Sequence, residues 1–181
     1  MTASEPVDGP RVLVVVATKH GSTRGIAEAI VRGLADCAAG RELGLTALLQ
    51  EAEHAPGPAG FAAVVVGSAV YVGRWRDPAR NWVGAHAEAL RERPVWLFSS
   101  GPIGAPPFPP DEPHDVAPLM QLTGARGHRV FPGRLDKDLL SFGERAMVTA
   151  MRAPTGDFRD WDAVGAWAGE VAAELRALRP G

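Results

Sequence analysis

The sequence predicts an α/β fold in which helices cover both faces of a doubly wound, five-stranded parallel sheet. Short runs that are apolar at every position alternate with segments of helical periodicity. A strand that is apolar throughout is buried on both faces, which is typical of parallel sheets. The alternation of strands and helices then favours a sheet covered on both sides. A length of 181 residues suits this smaller doubly wound architecture, rather than a six-stranded dinucleotide fold.

The first unit is a strand, a turn and a helix. Residues 12–16 are apolar at every position and predict a buried strand. The turn at 17–23 leads into a helix, for which Gly40 is the predicted end. Residues 45–49 predict a weaker second strand. The inner face of the helix carries apolar residues at four-residue spacing: Ile26, Ile30 and Leu34.

The remaining elements continue the alternation. A helix is predicted to begin at Asp77-Pro78, because aspartate is a favoured N-cap and proline is favoured at the first helical position. The last helix is predicted to begin near Asp160. A strand is predicted at 62–67, before the first of these helices. Between the two helices the pattern predicts strands at 94–98 and 129–131 and a short helix at 115–124.

Composition restricts the function classes. We predict one domain over residues 11–178, preceded by a disordered polar tail at 1–10. The single cysteine, Cys37, excludes an internal disulfide and a cysteine-based metal cage, and we expect it to be a buried, inert thiol in the first helix. Nineteen basic and 21 acidic residues give a net charge of −2, which argues against a nucleic-acid partner.

Neither a targeting segment nor a metal site is expected. The N-terminus lacks the basic start and apolar stretch of a signal peptide, and no apolar run approaches the roughly 20 residues that span a bilayer. A cytoplasmic location follows as the prediction. The five histidines show no paired metal-binding spacing, so no metal is predicted.

Ligands of doubly wound sheets bind beyond the carboxyl ends of the strands, so the loops there are the candidate sites. The turn after the first strand joins a buried strand to a helix start, where free amides and the helix dipole favour an anion. Its hydroxyl groups suit a phosphate monoester. The alternative is an ordinary helix start that is capped by one of those hydroxyls, from Ser22 or Thr23. The candidate residues are Thr18, Lys19, His20, Gly21, Ser22 and Thr23.

Two further loops follow the third and fourth strands. Tyr71 and Trp75 are predicted to stack on a flat ring, although they could instead cover the edge of the core. The loop after the fourth strand offers backbone amides to the polar edge of such a ring. The candidate residues are Ser68, Ala69, Val70, Tyr71, Val72 and Gly73 in one loop, and Ser99, Ser100, Gly101, Pro102, Ile103 and Gly104 in the other.

The pattern Thr18-x-x-Gly21-x-Thr23 resembles the FMN phosphate loop of the flavodoxins. The C-terminal third is similar to bacterial flavodoxin-type protoporphyrinogen oxidases. That similarity depends on an F-x-G-x-L strand exit, an inserted helix with methionines, and an Asp-Trp pair that opens the last helix. These residues are Phe131, Gly133 and Leu135, then Met147 and Met151, then Asp160 and Trp161.

The resemblance implies a flavodoxin-like fold, non-covalent FMN, and oxidation of a porphyrinogen with electrons passed to a membrane quinone. We therefore predict an FMN-dependent oxidoreductase that passes electrons from a reduced substrate through FMN to a quinone or a similar acceptor, such as a redox protein. One alternative is a small electron-transfer flavodoxin, and another is a cofactor-free interaction module. No catalytic residue is assigned, because the flavin carries the redox chemistry.

The role of the inserted segment, residues 139–153, is left open. Its apolar residues Leu139, Leu140, Met147 and Met151 fall roughly on one helical side. Core packing or a homodimer contact is the favoured interpretation. The alternatives are a wall of the substrate groove or a shallow contact with a membrane surface. The nearby Arg134, Arg145 and Arg152 form a solvated face in the first case, and meet carboxylates or anionic headgroups in the second.

Overall fold

A parallel sheet runs through the centre of the domain. The structure is a computed structural model that describes residues 8–101 and 113–179. The strands are β1 (Arg11–Ala17), β2 (Thr46–Glu51), β3 (Ala63–Tyr71), β4 (Arg74–Trp75), β5 (Val95–Ser100), β6 (Gly127–Phe131), β7 (Arg134–Leu135) and β8 (Gly156–Asp157). Five of them pair in parallel in the order β2-β1-β3-β5-β6, and β4 adds an antiparallel ribbon to β3. The predicted doubly wound sheet is confirmed, with its order reversing between β1 and β3.

Helices cover both faces of this sheet. They are α1 (Ser22–Asp36), α2 (Ala38–Leu43), α3 (Asp77–Arg91), α4 (Val116–Thr123), α5 (Phe142–Ala150) and α6 (Trp161–Leu178). Successive side chains of β1 point to opposite faces of the sheet, so this one strand contributes side chains to two cores. Val14 packs in the cluster with α1 and α6, and Val15 packs in the cluster with α3 and α4. Burial on both faces explains why β1 has no polar position between Val12 and Val16.

Helix boundaries differ from the prediction in two places. Gly40 does not end the first helix, because α1 stops at Asp36 and Gly40 lies inside the short α2. Cys37 is between the two helices, in an extended conformation, and its sulfur accepts a bond from the Gly40 amide at 3.3 Å. The placement of Cys37 within the first helix was wrong. The left-handed residue that ends α2 is Gly44, with φ 60°.

The aspartates at two predicted helix starts have different roles. Asp160 caps α6, since its side chain accepts a bond from the Ala163 amide at 3.0 Å. Asp77 is already the first helical residue of α3, and no side chain caps that helix. The Asp77 carboxylate accepts a bond from Arg80 instead.

Part of the predicted N-terminal tail is packed. Pro10 is buried, and its carbonyl oxygen accepts a bond from the Thr46 amide at 3.1 Å. Residues 1–7 of that tail lie outside the described residues. Among the helices described, we find none with the length and apolar character needed to cross a bilayer.

A glycine in β3 leaves room for an aromatic ring of the neighbouring strand β5, near the carboxyl ends of the two strands. Gly67 pairs with Phe98 of β5, and a Cβ at Gly67 would lie 2.1 Å from the Phe98 ring. That ring is fully buried and packs against Phe131 and Trp167.

We therefore expect Gly67→Ala to lower the free energy of unfolding by about 1–3 kcal/mol through overpacking. Chemical denaturation measures this change. Gly84→Ala is the matched control, because a Cβ at Gly84 of α3 meets no atom within 4 Å. In that helix the substitution should stabilise the protein by up to about 1 kcal/mol. Equal stability of both variants would contradict the described packing of Phe98.

Candidate functional site

A cavity of about 440 Å³ opens at the carboxyl ends of β1, β3 and β5. This volume lies within the range of small-molecule sites. Each of the three predicted loops contributes to its lining. The predicted residues that line it are Thr18, Lys19, His20, Ser22, Thr23, Ala69, Val70, Tyr71, Val72, Gly73, Ser100 and Gly101. Pro102, Ile103 and Gly104 lie outside the described residues.

The strand register brings these loops together. Ala17 of β1 pairs with Ser68 of β3, and Ala69 pairs with Ser100 of β5. Three strands therefore end at nearly the same level, and the residues that follow them share one edge of the sheet. The cavity is a consequence of parallel pairing.

The start of α1 has no side-chain cap. Its N-cap residue is Gly21, which has φ 83°, and within the described part of the chain no side chain caps the helix. The predicted alternative, a cap from Ser22 or Thr23, is therefore wrong. The first amides of a helix lack partners within the helix, so an uncapped start at a cavity is suited to an anion.

The hydroxyl groups of the turn keep their hydrogens available. The Gly21 amide donates to Thr18 Oγ1 at 3.1 Å, and the Arg134 amide donates to Ser22 Oγ at 2.9 Å. A hydroxyl that accepts one bond can still donate another. Thr23 also lines the cavity, although the residue is only 2% exposed. The three hydroxyls thus add donors beside the helix start.

Two predicted site serines hold the strands instead of lining the cavity. Ser68 Oγ accepts from the Arg76 amide at 2.9 Å and donates to the Ala69 carbonyl oxygen at 2.8 Å. Ser99 Oγ accepts from Trp75 Nε1 at 2.7 Å and lies 2.7 Å from His128 Nε2. Both serines are fully buried. Their side chains stabilise the structure beneath the pocket and do not line the cavity.

The expected stacking role of Trp75 is also wrong. The residue is 1% exposed and packs in the core cluster with α3 and α4. Its indole is fixed by the bond to Ser99. The alternative interpretation, that Trp75 covers the edge of the core, is the observed one.

The loop after β3 contains backbone strain. Val72 has φ 49°, which is unfavourable for a β-branched residue, and its side chain is 82% exposed. Gly73 follows with φ 72°, and its carbonyl oxygen accepts from the His114 amide at 2.9 Å. Strain of this kind is common where a loop borders a ligand. His114 also lines the cavity and was not predicted from the sequence.

The inserted segment forms one wall of the cavity. Leu140, Met147, Val148 and Met151 line it, while Leu139 is largely exposed. Met147 and Met151 are 41% and 54% exposed, so core packing is wrong for these methionines, while the other part of the favoured interpretation, a homodimer contact, stays a prediction. Of the two alternatives, the groove wall agrees with this placement.

A carboxylate joins the inserted segment to the predicted phosphate turn. Glu144 Oε1 accepts from Lys19 Nζ and from the Tyr71 hydroxyl, and lies 3.3 Å from His20 Nε2. Its other oxygen accepts from the Ser141 amide at 2.8 Å, which completes a capping box at the start of α5. Glu144 is 8% exposed and is the buried residue of α5.

These contacts change the acidity of the participants. Hydrogen bonds from Lys19 and then Tyr71 hold the pKa of Glu144 far below its usual value. The hydrogen bond to Glu144 raises the pKa of Lys19. Burial, followed by the bond to the carboxylate, raises the pKa of Tyr71. The cluster therefore consists of a carboxylate, an ammonium and a neutral phenol at neutral pH.

Sequence comparison agrees with this architecture. The family described as flavodoxin domain matches residues 13–162, which include all three loops. The chain belongs to the flavodoxin domain family. A comparison with curated proteins gives no significant match.

Solved structures share the flavodoxin fold at low identity. An archaeal flavodoxin is 15% identical, with a TM-score of 0.61, over 92% of this chain and 99% of its own. A flavodoxin, WrbA-like protein from Agrobacterium tumefaciens is 13% identical, with a TM-score of 0.58, over 94% and 99%. A flavodiiron core from Synechocystis is 15% identical, with a TM-score of 0.64, over 96% of this chain but 38% of its own. These likenesses concern the fold.

The raised pKa of Tyr71 yields a direct titration test, since Tyr71 is the chain's only tyrosine. We expect its ultraviolet tyrosinate signal to appear above the ordinary pKa of about 10. Because the folded pKa is raised, the stability that this group contributes is present below that pH and is lost as the pH rises through the folded value. Glu144→Gln removes the negative charge and should lower the midpoint, without restoring the ordinary value, because burial remains.

The matched control is Glu170→Gln. This change removes a surface carboxylate of α6 that pairs with Arg129. Its tyrosinate midpoint should equal that of the unmodified protein. A midpoint that is the same in all three proteins would contradict the bond between Tyr71 and Glu144.

Proposed function

We propose that this flavodoxin-family protein binds FMN non-covalently in the cavity and acts as an FMN-dependent oxidoreductase. The observation that carries the proposal is the uncapped start of α1, which faces a cavity of flavin size and is flanked by hydroxyls with free hydrogens. The unpaired amides of such a helix start favour the binding of an anionic group.

The residues fit the two chemically different ends of FMN. Thr18, Ser22 and Thr23, with the first amides of α1, are the donors that would hold the phosphate. The backbone around Gly73 and Gly101 and the side chain of Val70 line the part of the cavity suited to a flat ring. Bound FMN supplies electron transfer, while the chain binds and orients it and excludes water.

The wall formed by the inserted segment favours an enzyme over a simple carrier. Leu140, Met147 and Met151 add apolar surface beyond the loops that would contact the cofactor. Methionine-rich surfaces adapt to ligands of irregular shape. A reduced small molecule is the substrate we propose, and a porphyrinogen is the class suggested by the similarity of residues 131–161. Its electrons would pass to a quinone or to a redox protein, and the exposed Phe142 is available for a peripheral membrane contact.

A second candidate is an electron-transfer flavodoxin without a substrate of its own. The structural likeness to flavodoxins and a flavodiiron core supports it.

Purified protein is expected to be yellow and to oxidise a porphyrinogen in the presence of a quinone. Activity only with a reductase partner would favour the carrier. A colourless protein that ignores added FMN would favour a cofactor-free interaction module.

The phosphate assignment predicts the behaviour of a double variant. Thr18→Ala combined with Thr23→Ala should weaken FMN binding roughly tenfold or more, because two neutral donors to the phosphate are lost. Riboflavin lacks the phosphate, so its affinity should change much less. Quenching of flavin fluorescence measures both affinities.

Thr46→Ala is the matched control, since Thr46 is an exposed residue at the start of β2. It should bind both flavins like the unmodified protein. Unchanged FMN affinity in the double variant would refute the assignment of the phosphate to this turn.

A further inference from the structure

The inserted helix α5 is attached to the domain through one buried side chain. Glu144 is the buried residue of this helix, whereas Phe142 at its start is 91% exposed. The carboxylate reaches Lys19 and Tyr71, which belong to two different loops of the cavity. This contact ties α5 to both loops, in addition to the packing of Leu140 and Val148 at the cavity.

The same contact occupies the cation of the phosphate turn. Lys19 is the one lysine or arginine within residues 18–23. Its ammonium donates to Glu144 and lies 4.4 Å from the centroid of the Tyr71 ring. While α5 is in place, the charge of Lys19 is paired with Glu144 and one face of Tyr71 is covered, whereas Arg134, which donates to the His20 carbonyl oxygen, also lines the cavity.

We propose that Glu144 is a latch that holds α5 closed over the pocket and competes with the phosphate of a flavin for Lys19. The inference rests on the proposed binding of FMN. An anion in the turn attracts the ammonium and repels the nearby carboxylate, so occupation of the turn and closure of α5 oppose each other. The hydrogen bonds from Lys19 and Tyr71 hold the pKa of Glu144 below its usual range, so the competing group is a carboxylate at neutral pH.

The latch links two events at the pocket. Binding of the phosphate group releases α5, and the release opens the wall that contains Leu140, Met147 and Met151 to a second ligand. The linkage is reciprocal, so a variant with a broken latch binds the phosphate group more tightly. Glu144 thus acts as a positioning residue that sets the order of binding, in which the cofactor binds first and the substrate second.

Hydrogen exchange of the flavin-free protein tests the latch itself. Glu144→Gln should speed exchange of the amides of residues 142–150 severalfold, because the charged contact that holds the helix is weakened. Glu170→Gln, which alters a surface pair on α6, should leave these amides unchanged. Equal protection of 142–150 in Glu144→Gln and the unmodified protein would overturn the latch.

Titration with FMN and riboflavin tests the competition. Glu144→Gln should bind FMN roughly fivefold or more tightly than the unmodified protein, with a smaller gain for riboflavin. Lys19→Met should also loosen α5 but weaken FMN binding, a change of opposite sign that a purely structural role would not produce. In the unmodified protein, FMN should speed exchange at 142–150.

Three outcomes separate the two proposals. FMN affinity that is equal or lower in Glu144→Gln, or slower exchange at 142–150 when FMN is bound, would overturn the competition while FMN binding itself stands. Failure of every variant to bind any flavin would overturn the proposed function and the competition together. The flavin-free exchange experiment would still decide whether Glu144 holds α5.

Discussion

The parallel pairing of β1 with β3 is the constraint on which the candidate site depends. It sets Ala17 beside Ser68, so that the chain leaves both strands at the same edge of the sheet. The turn at 18–23 and the loop at 69–73 must then face each other. Burial of β1 on both faces fixes this arrangement, since a shift of one residue would exchange the two cores. The position of the cavity therefore follows from packing in the centre of the domain.

The structure also separates groups that face the cavity from groups that support it. Ser68 and Ser99 follow the same sequence logic as Ser22, yet their hydroxyls turn inward and satisfy a backbone amide and the indole of Trp75. The bond from Trp75 to Ser99 satisfies the buried indole N–H, whose desolvation would otherwise be costly. The surface of the pocket is mainly apolar, while hydroxyl donors are grouped at the start of α1.

The sequence predicts the scaffold better than the site. Apolar runs such as Val12–Val16 depend only on burial, and a buried strand can be recognised from its apolar residues. The turn at 18–23 was predictable because strand ends and helix starts have local signatures. The contact of Glu144 with Lys19 was not, because it joins residues 125 positions apart and the local Ser141-x-x-Glu144 pattern indicates only a capping box. The burial of Trp75 was equally hidden, since its partner Ser99 lies on another strand.

A crystal structure of the protein grown with excess FMN tests the central claim most directly. The account predicts a flavin in the cavity whose phosphate oxygens lie within about 3.2 Å of the amides or hydroxyls of residues 18–23. An empty cavity under saturating FMN, or a flavin whose phosphate is bound anywhere else, would contradict it.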